Sequence, residues 1–234
     1  MSKTYQPTSE LTTLPPCVKG KKARALTVRN VYDKKFKTIS LSDKWRSAIG
    51  KPEFTGTWFI YGPPKHGKTS FALQLSKYLT SFGKVLYVTA EEGISLAFRK
   101  AMQCHQIEDV EKNWFVIDRR DVPNISDLVS VLLRQRSPKV VFIDSVLFYN
   151  MKQTEYRKLK KMFPDKLFVY VSHVNSSGEP KGATADEIWR DAMVYFKVSG
   201  FRAFPVSRYG GGEPIDVCPE LAEKYWGNVI SITN

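Results

Sequence analysis

The clearest chemistry in the sequence lies in eight consecutive residues. Gly62-Pro-Pro-Lys-His-Gly67-Lys68-Thr69 fits the pattern G-x-x-x-x-G-K-[ST] without a mismatch. A loop of this kind wraps a phosphate with main-chain N–H groups, and the helix behind it points its positive end at the same anion. Gly62 and Gly67 permit the close approach and the unusual dihedrals. Pro63 and Pro64 have no N–H and only stiffen the turn. The donors must therefore come from Lys65, His66 and Gly67 onward, through Lys68, Thr69 and Ser70. Lys68 is placed to reach the β- and γ-phosphates, and Thr69 to offer its hydroxyl to Mg²⁺. ATP and Mg²⁺ are the ligands expected. A glycine turn followed by a surface lysine is the bland alternative; the apolar run before the loop and the helical pattern after it argue against that.

Two further groups could complete such a site. Val140 to Ile143 is an apolar run closed by Asp144. A parallel strand presents its last residue at the ligand crevice, where an aspartate can hold the magnesium shell. Hydrolysis also needs a group that orients or deprotonates the attacking water. Glu91 and Glu92 follow the run VLYVTA at the corresponding end of another strand. Either can face the γ-phosphate, or both can simply favour the N-terminus of a following helix.

The elements that must position these residues follow from periodicity. Thr57–Tyr61, Val85–Ala90, Val140–Ile143 and Leu167–Ser172 read as strands, and Lys68–Phe82 and Ser126–Gln135 as helices. Residues 43–49 read as a short helix. Trp114–Ile117 is a short apolar run without a firm assignment. Met193–Val198 and Phe201–Ser207 suggest a hairpin around Gly200. Alternating strands and helices predict an α/β sandwich with a mostly parallel central sheet, extended at one edge by an antiparallel hairpin.

Composition narrows the function classes. No apolar stretch approaches the ~20 residues of a membrane span, and the N-terminus lacks the layout of a secretory signal. Three isolated cysteines make no disulfide framework, which suits a reducing cytoplasm. The net charge is +13, and residues 1–50 hold eleven Lys or Arg against three acids. Such an excess points to a polyanion, nucleic acid above all. Residues 1–37 read as a basic, flexible, irregular extension, and residues 38–234 as the core domain. A solvated arm and a phosphate-attracting arm are compatible readings.

Taken together, GPPKHGKTSFALQL, VLYVTAEEG, VVFIDS, VYVSHVNSSGEPKG and WRDAMVYFKVSGFRAFPVSRYGG make the sequence resemble the RecA superfamily over residues 40–212. The likeness is greatest to the RadA/DnaB branch and its short phage relatives. It implies a RecA-like P-loop sandwich in which Glu91 is the catalytic glutamate and Asp144 closes the third strand. It implies that His173 senses the γ-phosphate from a strand between those of the P-loop and Asp144. Arg208 matches the arginine that reaches a neighbouring subunit's ATP, so a homo-oligomeric ring or filament is expected. Many relatives carry a lysine two residues earlier, where this chain has Val206.

In such proteins the loops after the third and fourth strands contact single-stranded DNA, here residues 146–161 and 174–190. The first mixes Lys152, Arg157 and Lys158 with aromatics, as strand binding favours; residues 154–163 also read as an amphipathic helix with a solvated basic face. Lys181, in a glycine-flanked loop, is the better single candidate. The chain reads as close to a bare core. By resemblance it would be a cytoplasmic ATPase of a bacterial or phage-infected cell that assists recombination, strand annealing or repair, with single-strand-binding or recombination proteins as further partners. A helicase-type translocase and a nucleotide-gated assembly ATPase are the alternatives. A small-molecule kinase would need none of Glu91, His173 and Arg208.

Overall fold

The computed structural model describes residues 25–230, with side chains to residue 227. It divides after Phe36 into two units. The described part of the first holds one short helix, α1 (Val28–Tyr32), in a stretch whose sequence reads as irregular. Its start is fixed locally: Thr27 Oγ1 accepts from the Asn30 amide, and Asn30 Oδ1 accepts from the Thr27 amide. The rest of the expected basic extension, residues 1–24, lies outside the described residues, as does Cys17.

The second unit begins with helix α2 (Asp43–Ile49) and then alternates. Strand β1 (Gly56–Gly62) runs into α3 (Lys68–Leu79), and β2 (Val85–Thr89) into α4 (Leu96–Cys104). Strand β3 (Trp114–Asp118) precedes α5 (Ile125–Leu132). Strand β4 (Val140–Asp144) is followed by α6 (Val146–Tyr149) and α7 (Gln153–Met162), and β5 (Leu167–His173) by α8 (Ala183–Asp191). Strands β6 (Val194–Ser199), β7 (Arg202–Ser207) and β8 (Ile215–Asp216) precede the last helix, α9 (Pro219–Ile230).

All eight strands form one sheet in the order β3-β2-β4-β5-β1-β6-β7-β8. It is parallel from β3 to β6 and antiparallel beyond, at the expected hairpin. Every residue of β2, β4 and β5 is buried, which is why these strands read as continuous apolar runs rather than as alternations. Alternate residues of β1 feed two cores. Trp58 and Ile60 pack with α2, α3 and α4 on one face, while Phe59 and Tyr61 pack with α5, α7 and α8 on the other.

Register then aligns the ends of five strands. Gly62 pairs with His173, and Thr89 with both Asp144 and Asp118. Those residues form one rim of the sheet, where the helices and loops depart.

Three expectations change. Trp114–Asp118 is an edge strand, so Asp144 closes the fourth strand and His173 the fifth. Residues 146–161, expected as a loop, are mostly helix in α6 and α7, the latter matching the amphipathic helix read over residues 154–163. Residues 174–190 are a loop only as far as Gly182, and α8 follows.

Candidate nucleotide site

The turn between β1 and α3 has the shape that a phosphate requires. Gly67 has φ +94° and Lys65 φ +63°, both in the left-handed region. Gly62 is held to its residue type by crowding: a Cβ there would lie 1.9 Å from the Val198 carbonyl oxygen. His66 braces the loop from behind. Its Nδ1 accepts from the Gly200 amide at 2.9 Å, and its carbonyl accepts from the Phe201 amide at 3.2 Å. The His66 ring and carbonyl are thereby committed to the β6–β7 turn, which leaves its main-chain amide for an anion. Lys65, Gly67, Lys68, Thr69 and Ser70 line a cleft of about 470 Å³ together with Glu91, Glu92, His173 and Phe201.

Lys68 is buried, and its Nζ donates to the Pro63 carbonyl at 2.8 Å. Burial lowers its proton affinity below the ordinary lysine value, against the opposing pull of the Glu91 and Asp144 carboxylates. The ammonium thus rests on the loop's own main chain.

Asp144 lies deeper. Burial raises its carboxyl to about 6, helped by the charges of Glu91 and Glu92 and opposed by hydrogen bonds from Tyr87 and Thr69. Tyr87 Oη donates to Asp144 Oδ2 at 2.6 Å. A buried carboxylate with that proton affinity gains from a cation, and the hydroxyl of Thr69 beside it is a second hard oxygen; this donor set suits Mg²⁺. Among the described residues no group of three or more His, Cys, Asp or Glu side chains could hold a metal. Mg²⁺ ordinarily completes its shell with phosphates and water.

Glu91 stands at the mouth. Its amide and that of Ala90 donate to the Asp144 carbonyl at 3.1 and 2.6 Å, which fixes the start of the loop after β2. Its Oε2 lies 2.8 Å from His173 Nε2. Burial would raise the Glu91 carboxyl, but the hydrogen bond and charge of His173, with Lys68, outweigh it and hold it below the usual range. Glu92 shifts the other way, through burial and the charge of Glu91. Their environments separate the two acids: Glu91 is the ionised, partnered one.

No protein-family model matches the sequence. The DNA repair and recombination protein RadB of Methanosphaera stadtmanae is 27% identical over 111 residues, 44% of this chain and 47% of that protein. The chain therefore spans about half the length of that relative. The flagellar accessory protein FlaH of Methanocaldococcus jannaschii superposes with a TM-score of 0.50 at 15% identity, over 77% of this chain and 96% of that one.

The chain has a RecA-like P-loop fold.

In this RecA-type core the remaining candidates fall elsewhere. Arg208 follows β7, which runs back toward the opposite end of the sheet. Ser207 pairs with Val194, and Val194 with Trp58, four residues before Gly62 and so roughly 13 Å down the strand. Arg208 cannot serve the cleft of its own subunit. Its amide donates to Met193, and it lines a separate groove with Trp189, Tyr195 and Val206.

Of the expected DNA contacts, Arg157 is engaged: its fork meets Glu187 on α8 at 2.6 and 3.0 Å. Lys160 likewise meets Asp191 at 2.6 Å. Lys152 and Lys158 are exposed on or beside α7, and Lys181 is exposed in the loop after β5. That loop is tied to the site, since the Lys181 amide donates to the His173 carbonyl at 2.9 Å.

Two residues escaped the sequence reading. Tyr87 sits in an apolar strand where a tyrosine looks like core. Phe201 reaches the cleft through the tertiary packing of a hairpin turn, with its backbone at φ +59°.

Proposed function

We propose that this chain is a magnesium-dependent ATPase that binds single-stranded DNA and assists recombination, strand annealing or repair. The observation that carries the ATPase part is the Glu91–His173 pair, 2.8 Å apart at the lip of the cleft that Lys68 and Thr69 line. In this reading Lys68 leaves the Pro63 carbonyl for the β- and γ-phosphates. Glu91, held ionised, orients the attacking water and takes its proton. His173, bonded to Glu91 and adjacent to the P-loop strand, registers whether a γ-phosphate is present. Thr69 and Asp144 would hold Mg²⁺, which when bound neutralises charge on the phosphates. Arg208 can act only on the ATP of a neighbouring subunit, where its planar cation suits charge spread over phosphoryl oxygens. This reading therefore includes a ring or filament of copies.

The DNA part rests on the net charge of +13, on the position of Lys181 in a loop hung from His173, and on the RadB relative's role in repair and recombination. One observation favours a second reading, a nucleotide-gated assembly ATPase: Arg157 and Lys160 are consumed in ion pairs, which leaves less free positive charge on α7. FlaH, an accessory protein of the flagellum, shares the fold.

The deciding experiment measures ATP turnover with and without single-stranded DNA, alongside DNA binding across a salt series. Stimulation with salt-sensitive binding is expected; turnover indifferent to DNA, with no binding, overturns the DNA part and favours the assembly reading. Mixing Lys68→Ala and Arg208→Ala proteins should restore turnover that neither shows alone. If the mixture stays inactive, the arginine does not act across an interface.

A further inference from the structure

The loop that carries Glu91 is held at its start within the nucleotide site already described and again around Gly93, whose carbonyl also accepts from Thr89 Oγ1 at 3.4 Å. At its start the Ala90 and Glu91 amides bond to Asp144. Three residues on, the chain turns at Gly93 (φ +63°), and the Ile94 amide donates to Asp118 Oδ2 at 2.8 Å. Asp118 ends edge strand β3 and pairs in register with Thr89, the last residue before the loop. The contact at Gly93 is close: a Cβ there would lie 2.9 Å from Asp118 Oδ2.

Asp118 is built to hold this place. It is only 4% exposed, and with Asp144 it is one of two aspartates buried among the described residues. Its Oδ1 accepts from the Arg120 amide at 2.8 Å and from Arg120 Nε at 3.0 Å, while Arg120 Nη2 donates to Oδ2 at 2.8 Å. The guanidinium itself is largely exposed and covers the carboxylate from outside. A fork of this kind fixes the carboxylate's plane as well as its charge. All the bonds from Arg120 are local, two residues away. The bond to Ile94 spans 24 residues and joins the edge strand to the loop.

We propose that Asp118 is a positioning residue for the candidate catalytic Glu91, acting as the second clamp on the turn that presents it. The proposal rests on the assignment of Glu91 made above. Glu91 lies on the short arc between the Asp144 carbonyl and the Asp118 carboxylate, so neither its height nor its direction is set by side-chain packing alone. Losing the second clamp frees the Ile94 amide and lets the turn swing about its anchor at Asp144. A displacement of about 1 Å at a reacting group can cost on the order of a hundredfold in rate.

The test uses the full chain and separates position from stability. Asp118→Ala should lower kcat by about ten- to a hundredfold, with the dissociation constant of a non-hydrolysable ATP analogue changed less than about twofold, since the P-loop is untouched. In the Glu91→Gln background the same substitution should cost nothing further, because a residue that acts only through Glu91 has nothing left to act on. Gly93→Ala provides a second route: it crowds Asp118 and strains the turn without altering the carboxylate, and it should reproduce the kcat loss. Asp118→Asn, which keeps one acceptor oxygen, should retain more activity than Asp118→Ala. An unchanged kcat in Asp118→Ala, or an equal loss in the Glu91→Gln background, overturns the proposal while leaving the role of Glu91 intact. Wild-type turnover by Glu91→Gln alone would instead sink the catalytic assignment and the clamp with it.

Discussion

The rim of the parallel strands and the outer face of α7 and α8 are both rich in charged residues, yet they are organised in opposite ways. At the rim, Lys68, Asp144, Glu91 and His173 are brought together from four strand ends, and three of them are buried. Lys68 rests on a main-chain carbonyl, Asp144 on a tyrosine, and Glu91 on a histidine. Among the described residues no lysine or arginine ion pair neutralises the site, so its charge remains usable. On the helix face, the cations have already met their acids: Arg157 with Glu187, and Lys160 with Asp191, which also accepts from Tyr156. Charge held by a carbonyl, a hydroxyl or a single ring nitrogen is available to a ligand; charge held in a lysine or arginine ion pair is mostly spent on the fold. A count of basic residues does not distinguish these cases.

The largest effect that could break this contrast is at the rim. Glu91→Gln should reduce ATP turnover by about 10²–10⁴-fold while a filter or fluorescence assay shows nucleotide binding retained. Wild-type turnover would mean that the paired acid is only structural. Next, Gly62→Ala should destabilise the fold by about 3 kcal/mol in urea unfolding, because the Val198 carbonyl is backbone and cannot step aside. A midpoint like that of wild type would show that the loop is looser than its geometry implies.

A smaller effect concerns acid stability. The hydrogen bonds from the Arg120 side chain and amide, against the cost of burial, hold the Asp118 carboxyl far below its ordinary value of 3.8. The folded state therefore favours the ionised form. Its contribution is complete above about pH 4 and is lost as the pH falls toward the folded-state value. Asp118→Asn should flatten the decline in urea midpoint between about pH 5 and pH 2.5 relative to wild type; parallel declines would contradict the shift. The smallest effects lie on the charged helices. Lys181→Ala should reduce the slope of log affinity for single-stranded DNA against log salt by about one contact's worth. Arg157→Ala should leave that slope unchanged and barely move the urea midpoint, its side chain being 65% exposed. A drop in slope from Arg157→Ala would place DNA on the α7–α8 face after all.

How much of this was legible in the sequence depends on distance along the chain. The P-loop, its strand and its helix are contiguous, and one short pattern carries both the chemistry and the geometry. Asp144 was legible because a buried parallel strand is a run of apolar residues with a polar end, whereas His173 was singled out only by the resemblance. Strand β3 was not, since it is five residues long, with one neighbour and Phe115 exposed. Helix α8 was hidden behind the turn-rich SSGEPKG, whose glycines and proline dominate any local reading. The ion pairs that disarm Arg157 and Lys160 join residues about thirty positions apart and leave no local trace.

The sequence by itself determined that this chain has a loop of the P-loop pattern between a strand and a helix, and which acids follow its apolar strands. Those facts follow from local sterics, main-chain hydrogen bonding and the period of buried residues. The tertiary structure alone decided which of these ends share a rim, that Arg208 lies at the other end of the sheet, and that Asp118 reaches the turn beside Glu91. Strand order and register fix those relations. They are set by the packing of two cores on a shared sheet, to which every strand contributes and which no single segment encodes.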